Sequence, residues 1–442
     1  MHHIRTVLFT VVLVLSWPVQ ALEIKLKTEI ANPVLPSDAN SHKTYIKISL
    51  TGFNIEQKAD RSLANVAIVL DKSGSMDGDK IKRAKQAAKL AVDLMDAKDT
   101  VALVSYDSLA KVMLAAKKVT DKTLIKQKIE NLSAGGSTAL YAGVNKGANQ
   151  VREFFAKKFV NRVILLSDGL ANVGPSSTKE LSDLGAKLGS EGISVTTIGL
   201  GKGYDEDLMT ALAGHSDGNH AFVEKAEDLA KVFEHEFGDV LSVVAQDVTI
   251  EIILPDGVKP VRIIGRDGEI SKQKVTSKIG QIYANQEKYI LLEAEVPAGI
   301  DSATRKISDI KINYHNMQHN KSSQLTSEAS ISYSASRQKI EQAENKHVKS
   351  DAIIQTVNEE NQRAIYLRDQ GKIKEAKKLM QKNVSKLRQN APMLGSQQEA
   401  VLNQLASEYE QDMNSLANDS SWNVQRKSMK SKQYRIKKQQ KY

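Results

Sequence analysis

Val66-Ala67-Ile68-Val69-Leu70-Asp71-Lys72-Ser73-Gly74-Ser75 decides the fold of this chain. Its first five residues are uniformly apolar and include two valines and an isoleucine, as expected of a short strand buried on both faces. Asp71 ends the run. Two hydroxyls follow at two-residue spacing on a turn that Gly74 keeps open. One carboxylate and two neutral hydroxyls at a strand end make half of an oxygen shell for a hard divalent cation.

Two later stretches supply the other half. Ser133-Ala134-Gly135-Gly136-Ser137-Thr138-Ala139-Leu140 is a glycine loop with hydroxyls just ahead of a helical pattern. Val163-Ile164-Leu165-Leu166-Ser167-Asp168-Gly169 is a second buried strand ending in a carboxylate. Each fragment alone reads more simply as a turn or a helix N-cap. Their order, each at a strand end or helix start, carries the metal reading. Asp-x-Ser-x-Ser, Gly-Gly-Ser-Thr and a strand-terminal Asp-Gly form the pattern of the metal-ion-dependent adhesion site, and here the chain resembles the von Willebrand factor A family. The resemblance implies that Ser73, Ser75 and Thr138 contact the metal directly, and that Asp71 and Asp168 hold it largely through water. All five positions match.

Mg²⁺ keeps several waters and is gripped by few carboxylates. Three neutral hydroxyls leave much of its charge uncancelled, so one position stays open to an Asp or Glu carboxylate of another protein. Mg²⁺ is therefore the expected cofactor, with Mn²⁺ or Ca²⁺ as substitutes. Both aspartates end strands, where ligands of parallel α/β sheets collect.

From Asn65 to about Val244, buried strands alternate with amphipathic helices, which predicts a doubly wound parallel α/β domain over 61–244. Strand-period segments lie on both sides, at 22–60 and 245–335. They predict one β-sandwich into which the α/β domain is inserted, an arrangement similar to that of bacterial exported relatives of calcium-activated chloride channel regulators. Residues 336–421 read as about three helices in hairpins, broken at Gly371 and at Asn390-Ala391-Pro392.

The length of 442 residues suggests about three domains. The chain has no cysteine, which excludes disulfides, thiolate metal sites and thiol nucleophiles. A basic start, the apolar run Val7–Leu15 and small residues at Val19 and Ala21 predict a signal peptide over 1–21, and so a periplasmic or secreted protein. Of the formal charge of +10, Arg5 and eight Lys or Arg between Trp422 and Tyr442 account for all but +1. Residues 422–442 thus read as a basic tail, with weak contact to an anionic membrane or polymer as one role and plain solvation as the other. No nucleic-acid module is present.

The sequence offers little for catalysis. Glu234-His235-Glu236 lacks the second histidine of a zinc protease motif, and no Gly-x-Ser-x-Gly elbow surrounds Ser73. His215 and His220 flank Ser216-Asp217-Gly218-Asn219, read as a surface turn. The expectation is a non-enzymatic, exported, metal-dependent binding protein for adhesion or scaffolding. The alternatives are a metal-dependent hydrolase and a structural envelope protein with a vestigial site. Oligomeric state stays open.

Overall fold

A computed structural model describes residues 22–38, 40–55 and 61–440. The signal sequence expected over 1–21 lies outside them. Three strands open the described chain: β1 (Lys25–Ile30), β2 (Val34–Pro36) and β3 (His42–Thr51). The α/β domain follows as β4 (Leu63–Asp71), α1 (Asp79–Leu94), β5 (Thr100–Tyr106), β6 (Ala110–Lys118), α2 (Lys122–Glu130), α3 (Leu140–Glu153), β7 (Phe159–Ser167), α4 (Thr178–Ser190), β8 (Ser194–Leu200), α5 (Glu206–His215), β9 (His220–Val223) and α6 (Leu229–Leu241). Its sheet has the order β6-β5-β4-β7-β8-β9. All pairs are parallel except β5–β6.

Strand alternation explains why both faces are covered. Val66, Ile68 and Leu70 of β4 pack with Ala84, Ala88 and Val92 of α1 and with Phe233 and Phe237 of α6. Ala67 and Val69 point the other way, into a core with Val144 and Ala148 of α3 and Leu208 and Leu212 of α5. Gly147 lets α3 lie close on the sheet, since a β-carbon there would stand 2.5 Å from Val69 Cγ2. The edge strand β6 and helix α2 went unread in the sequence. β6 is partly exposed along most of its length, pairs antiparallel with β5 and ends the sheet as an edge strand.

Seven strands complete the sandwich: β10 (Val243–Ile253), β11 (Lys259–Ile264), β12 (Gly268–Ser271), β13 (Lys274–Tyr283), β14 (Glu287–Val296), β15 (Thr304–Asn316) and β16 (Lys321–Ser334). One sheet is β1-β3-β14-β11 and the other is β12-β13-β10-β15-β16-β2. The strands before the α/β domain therefore sit within sheets built by strands after it, and Ile46, Ile48, Ile250, Ile252, Ile290 and Ile312 share one core. The sandwich adjoins the amino edge of the α/β sheet. There Arg162, fully buried near the start of β7, donates to Gln281 and to the Tyr283 hydroxyl (3.0 Å) of β13.

The C-terminal region is helical: α7 (Arg337–Ala343), α8 (Lys346–Asp369), α9 (Ile373–Asn390), α10 (Ser396–Ser415) and α11 (Trp422–Lys438). The stretch 336–421 holds four helices rather than three, the short α7 being the addition. Gly371 makes the sharp turn from α8 to α9 at φ +77°.

Within the segment read as a basic tail, Trp422–Lys438 form α11, and this helix is docked. Met429 packs with Ala364, Ala376 and Met380, while Ile436 lies against Val357, Leu402 and Tyr409. Six of its cations pair with carboxylates of the chain. Arg426 meets Asp207 at 2.6 Å and Asp369 at 2.9 Å, and also Glu206. Lys427 meets Glu206 at 2.5 Å, Lys430 meets Asp207 at 2.9 Å, and Lys432 meets Asp412 at 3.0 Å. Lys437 meets Asp267 at 3.0 Å, and Lys438 meets Asp217 at 2.6 Å. Charge paired with carboxylates is less available to an anionic membrane or polymer, which weakens the case for that expected contact. Composition showed the cations, whereas the acids that meet them lie far away in sequence.

Candidate metal centre

The five expected residues converge at the carboxyl edge of β4 and β7. Asp71 closes β4 and is fully buried. Its Oδ1 accepts the Ser73 backbone N–H at 2.8 Å, and its Oδ2 accepts the Ser167 hydroxyl at 2.8 Å. Burial pushes the Asp71 carboxyl above its usual range, and the nearby Asp168 charge adds to this, while the bonds from Ser73 and Ser167 oppose it. Beneath the site, the buried Tyr106 hydroxyl donates to the Leu166 carbonyl at 3.0 Å.

Backbone hydrogen bonds zip the two loops together. Gly74 N–H donates to Gly136 O at 2.9 Å, and Gly135 N–H donates to Lys72 O at 2.7 Å. Gly136 takes φ +83°, and a β-carbon there would stand 3.1 Å from Asp107 Cβ and Ser108 Oγ. The glycine thus serves both the turn and the close approach. Thr138 is clamped from the other side: its N–H donates to Asn172 Oδ1 at 2.8 Å, and its carbonyl accepts the Asn172 N–H at 3.1 Å. Beside the site, Lys72 pairs with Asp107, and despite partial burial this holds the Asp107 carboxyl below its usual range.

The hydroxyls face one small space. Ser73 Oγ and Ser75 Oγ lie 3.1 Å apart, and Ser75 donates to Asp168 Oδ1 at 2.6 Å. Gly169 shows the convergence most directly. A β-carbon on it would stand 3.2 Å from Thr138 Oγ1, 3.3 Å from Ser75 Oγ and 3.8 Å from Ser73 Oγ. Three neutral oxygens border a cradle that one methyl group would fill, with two buried carboxylates behind. Such an all-oxygen donor set fits Mg²⁺, Mn²⁺ or Ca²⁺ and has no soft ligand for a thiophilic metal. Among the described residues, no cluster of three or more His, Asp or Glu has metal-holding geometry, so the serines and threonine are essential to the fit.

Sequence reasoning passed over several contributors. Ser167 and Asn172 hold Asp71 and Thr138, and Gly169, quoted only as part of the Asp-Gly pattern, leaves the cradle open. Ser167 and Gly169 flank Asp168, so adjacency was their one local signal. Lys80, in the first turn of α1, donates to Asp168 Oδ2 at 2.5 Å, and nothing in its local sequence announces that. The start of α11 is also near: Asn423 Nδ2 donates to Lys202 O at 3.2 Å in the loop after β8. In that loop, a β-carbon on Gly203 would stand 2.5 Å from the Asp168 carbonyl. The stretch 216–219 is not a surface turn. Ser216 and Asn219 are buried, and His220 lies between the rings of Tyr204 and Tyr434.

A parallel sheet wrapped by helices on both faces, with a hydroxyl-lined cradle at its carboxyl edge, defines the class of domain. Residues 65–235 match the family model of the von Willebrand factor type A domain, and the chain contains such a domain. Among curated proteins, it is 28% identical over 233 residues to the uncharacterized protein YfbK of Escherichia coli (strain K12), covering 52% of this chain and 40% of that protein. It is 29% identical over 164 residues to calcium-activated chloride channel regulator 1 of Bos taurus, covering 36% of this chain and 17% of that protein. The matches thus span half or less of those relatives. Among solved structures, a von Willebrand factor type A protein from Catenulispora acidiphila aligns with TM-score 0.66 at 15% identity, over 90% of this chain and 91% of that one. The ArnB paralog VWA2 from Sulfolobus acidocaldarius aligns with TM-score 0.61 at 14% identity, over 94% and 98%. At such identities these likenesses concern the fold alone. Among the described residues, no helix is long and apolar enough to cross a membrane.

Proposed function

We propose that this chain is an exported protein-binding protein whose A domain grips a partner's Asp or Glu carboxylate through a divalent cation. Asp71, Ser73, Ser75, Thr138 and Asp168 would hold that cation, Mg²⁺ in the first instance and Mn²⁺ or Ca²⁺ as substitutes. When bound, it supplies positive charge that the hydroxyls do not neutralise, and so a docking point for an anionic oxygen. The single observation that carries the reading is the Gly169 cradle, bordered by Ser73, Ser75 and Thr138 oxygens within 3.8 Å.

The chain's own residues prepare the site. Ser73 N–H and Ser167 fix the Asp71 carboxylate, while Asn172 and the Gly135-Gly136 loop fix Thr138. The sandwich joins the opposite edge of the sheet. Export is supported by the basic, apolar and small-residue order of Met1 to Ala21. A hydrolase reading is weaker, because both carboxylates of the site have their oxygens engaged by donors of the chain and are poorly placed to take a proton from water.

The test is capture of a partner from cell-envelope extract by the immobilised chain, with and without chelator. Capture that requires Mg²⁺ and is lost in Thr138→Ala is the expected result. Equal capture by Thr138→Ala, or capture indifferent to chelator, overturns the mechanism.

A further inference from the structure

Lys80 bears on the proposed cation in a way that sets it apart from its neighbours. It rises from the first turn of α1, and its ammonium donates both to Asp168 Oδ2 (2.5 Å) and to the Ser75 carbonyl (3.3 Å). Asp168 is buried, while the Lys80 side chain keeps about a third of its surface in solvent. The other carboxylate oxygens of the site accept neutral donors: the Ser73 N–H, the Ser167 hydroxyl and the Ser75 hydroxyl. The nearby Lys72 is paired with Asp107, and Asp79 beside Lys80 is paired with Arg83 at 3.5 Å. Lys80 is thus the group that brings positive charge onto an aspartate of the site. Lys80 runs alongside Gly201, where an added β-carbon would be in ordinary contact with Lys80 Cε (3.8 Å) and Nζ (3.9 Å).

We propose that Lys80 is a built-in competitor for the cation, setting a trade between how tightly the site holds a metal and how strongly the loaded site draws an anion. The inference rests on the metal reading above and adds the residue that tunes it. Two carboxylates and one ammonium give a formal charge of −1, which a dication turns to +1. With Lys80 neutralised, the same sum runs from −2 to zero. The lysine therefore weakens metal binding and sharpens the attraction of the filled site for a carboxylate. Its long stem is partly in solvent, so the ammonium can withdraw from Asp168 without moving α1.

The test titrates the full chain with Mn²⁺, reading free Mn²⁺ by its electron paramagnetic resonance signal. Lys80→Met should lower the dissociation constant by about tenfold, since removing a partly screened unit charge beside a dication is worth roughly that factor. Lys80→Arg, which keeps the charge, should stay near the parent. Raising salt from low to high should shrink the difference. A second readout is acetate binding to the Mn²⁺-loaded protein, followed by water-proton relaxation, which should be several-fold weaker in Lys80→Met. Mn²⁺ bound by the parent but no more tightly by Lys80→Met overturns this inference and leaves the metal site standing. Equal tightening in Lys80→Arg overturns it too, by showing that shape and not charge was responsible. A parent that binds no Mn²⁺ sinks both readings.

Discussion

Gly169→Ala is the sharpest perturbation that the geometry offers. The methyl group would stand 3.2 Å from Thr138 Oγ1, 3.3 Å from Ser75 Oγ and 3.8 Å from Ser73 Oγ. Gly169 does not have the positive φ that would strain an alanine, so the backbone accepts the change. The contacts ask neighbouring hydroxyls to yield by a few tenths of an ångström, which costs at most about 1 kcal/mol of stability. For the metal the cost is total, because the methyl fills the space that the three oxygens border. Linkage sets the readout: a cation at a hundredfold its dissociation constant stabilises the parent by about 2.7 kcal/mol. For a domain of this size that raises the melting temperature by about 5–10 °C. Calorimetry in saturating Mg²⁺ and in chelator should show that rise in the parent and about 1 °C or less in Gly169→Ala. With chelator, the two should melt within a few degrees of each other. A variant whose transition climbs with Mg²⁺ as far as the parent's would refute the assignment of the cradle.

Three other outcomes are expected. Asp71→Ala strips the acceptor from the buried Ser73 N–H and Ser167 hydroxyl, so urea unfolding should show a loss of about 2–3 kcal/mol in chelator as well as in Mg²⁺. Glu206→Ala leaves the buried Lys427 without its carboxylate, and should cost about 3 kcal/mol and expose α11 to limited trypsin digestion; an unchanged digestion pattern would count against the docking ion pairs. His220 is buried with its Nε2 unpartnered, and burial holds its pKa down to about 3. The unfolded chain takes up the proton near 6.5 and the folded protein does not, so stability present above pH 6.5 falls as pH drops toward 3, by about 2 kcal/mol between pH 6.5 and 5. His220→Phe should flatten that limb in pH-dependent urea melts, and an equally steep limb would assign the acid sensitivity elsewhere.

What could be read from the residues alone was local. The apolar run ending at Asp71 and its counterpart ending at Asp168 are buried strands because continuous β-branched and aliphatic side chains suit a sheet covered on both faces. Helical periodicity marked α1, α9 and α10, and together these gave the α/β class and the helical C-terminal region. The five candidate oxygen residues could be picked out because each lies at a strand end or in a glycine loop, and the structure brings them to one edge of the sheet. Tertiary structure decided the rest. Trp422–Lys438 is a docked helix, because Arg426 and Lys427 find Glu206 more than two hundred positions away. Lys80 meets Asp168 across 88 positions, and Gly169 matters only through what surrounds it. Charge pairing and crowding act through space, and side chains that carry no periodic signal acquire their roles only once the chain has closed around them.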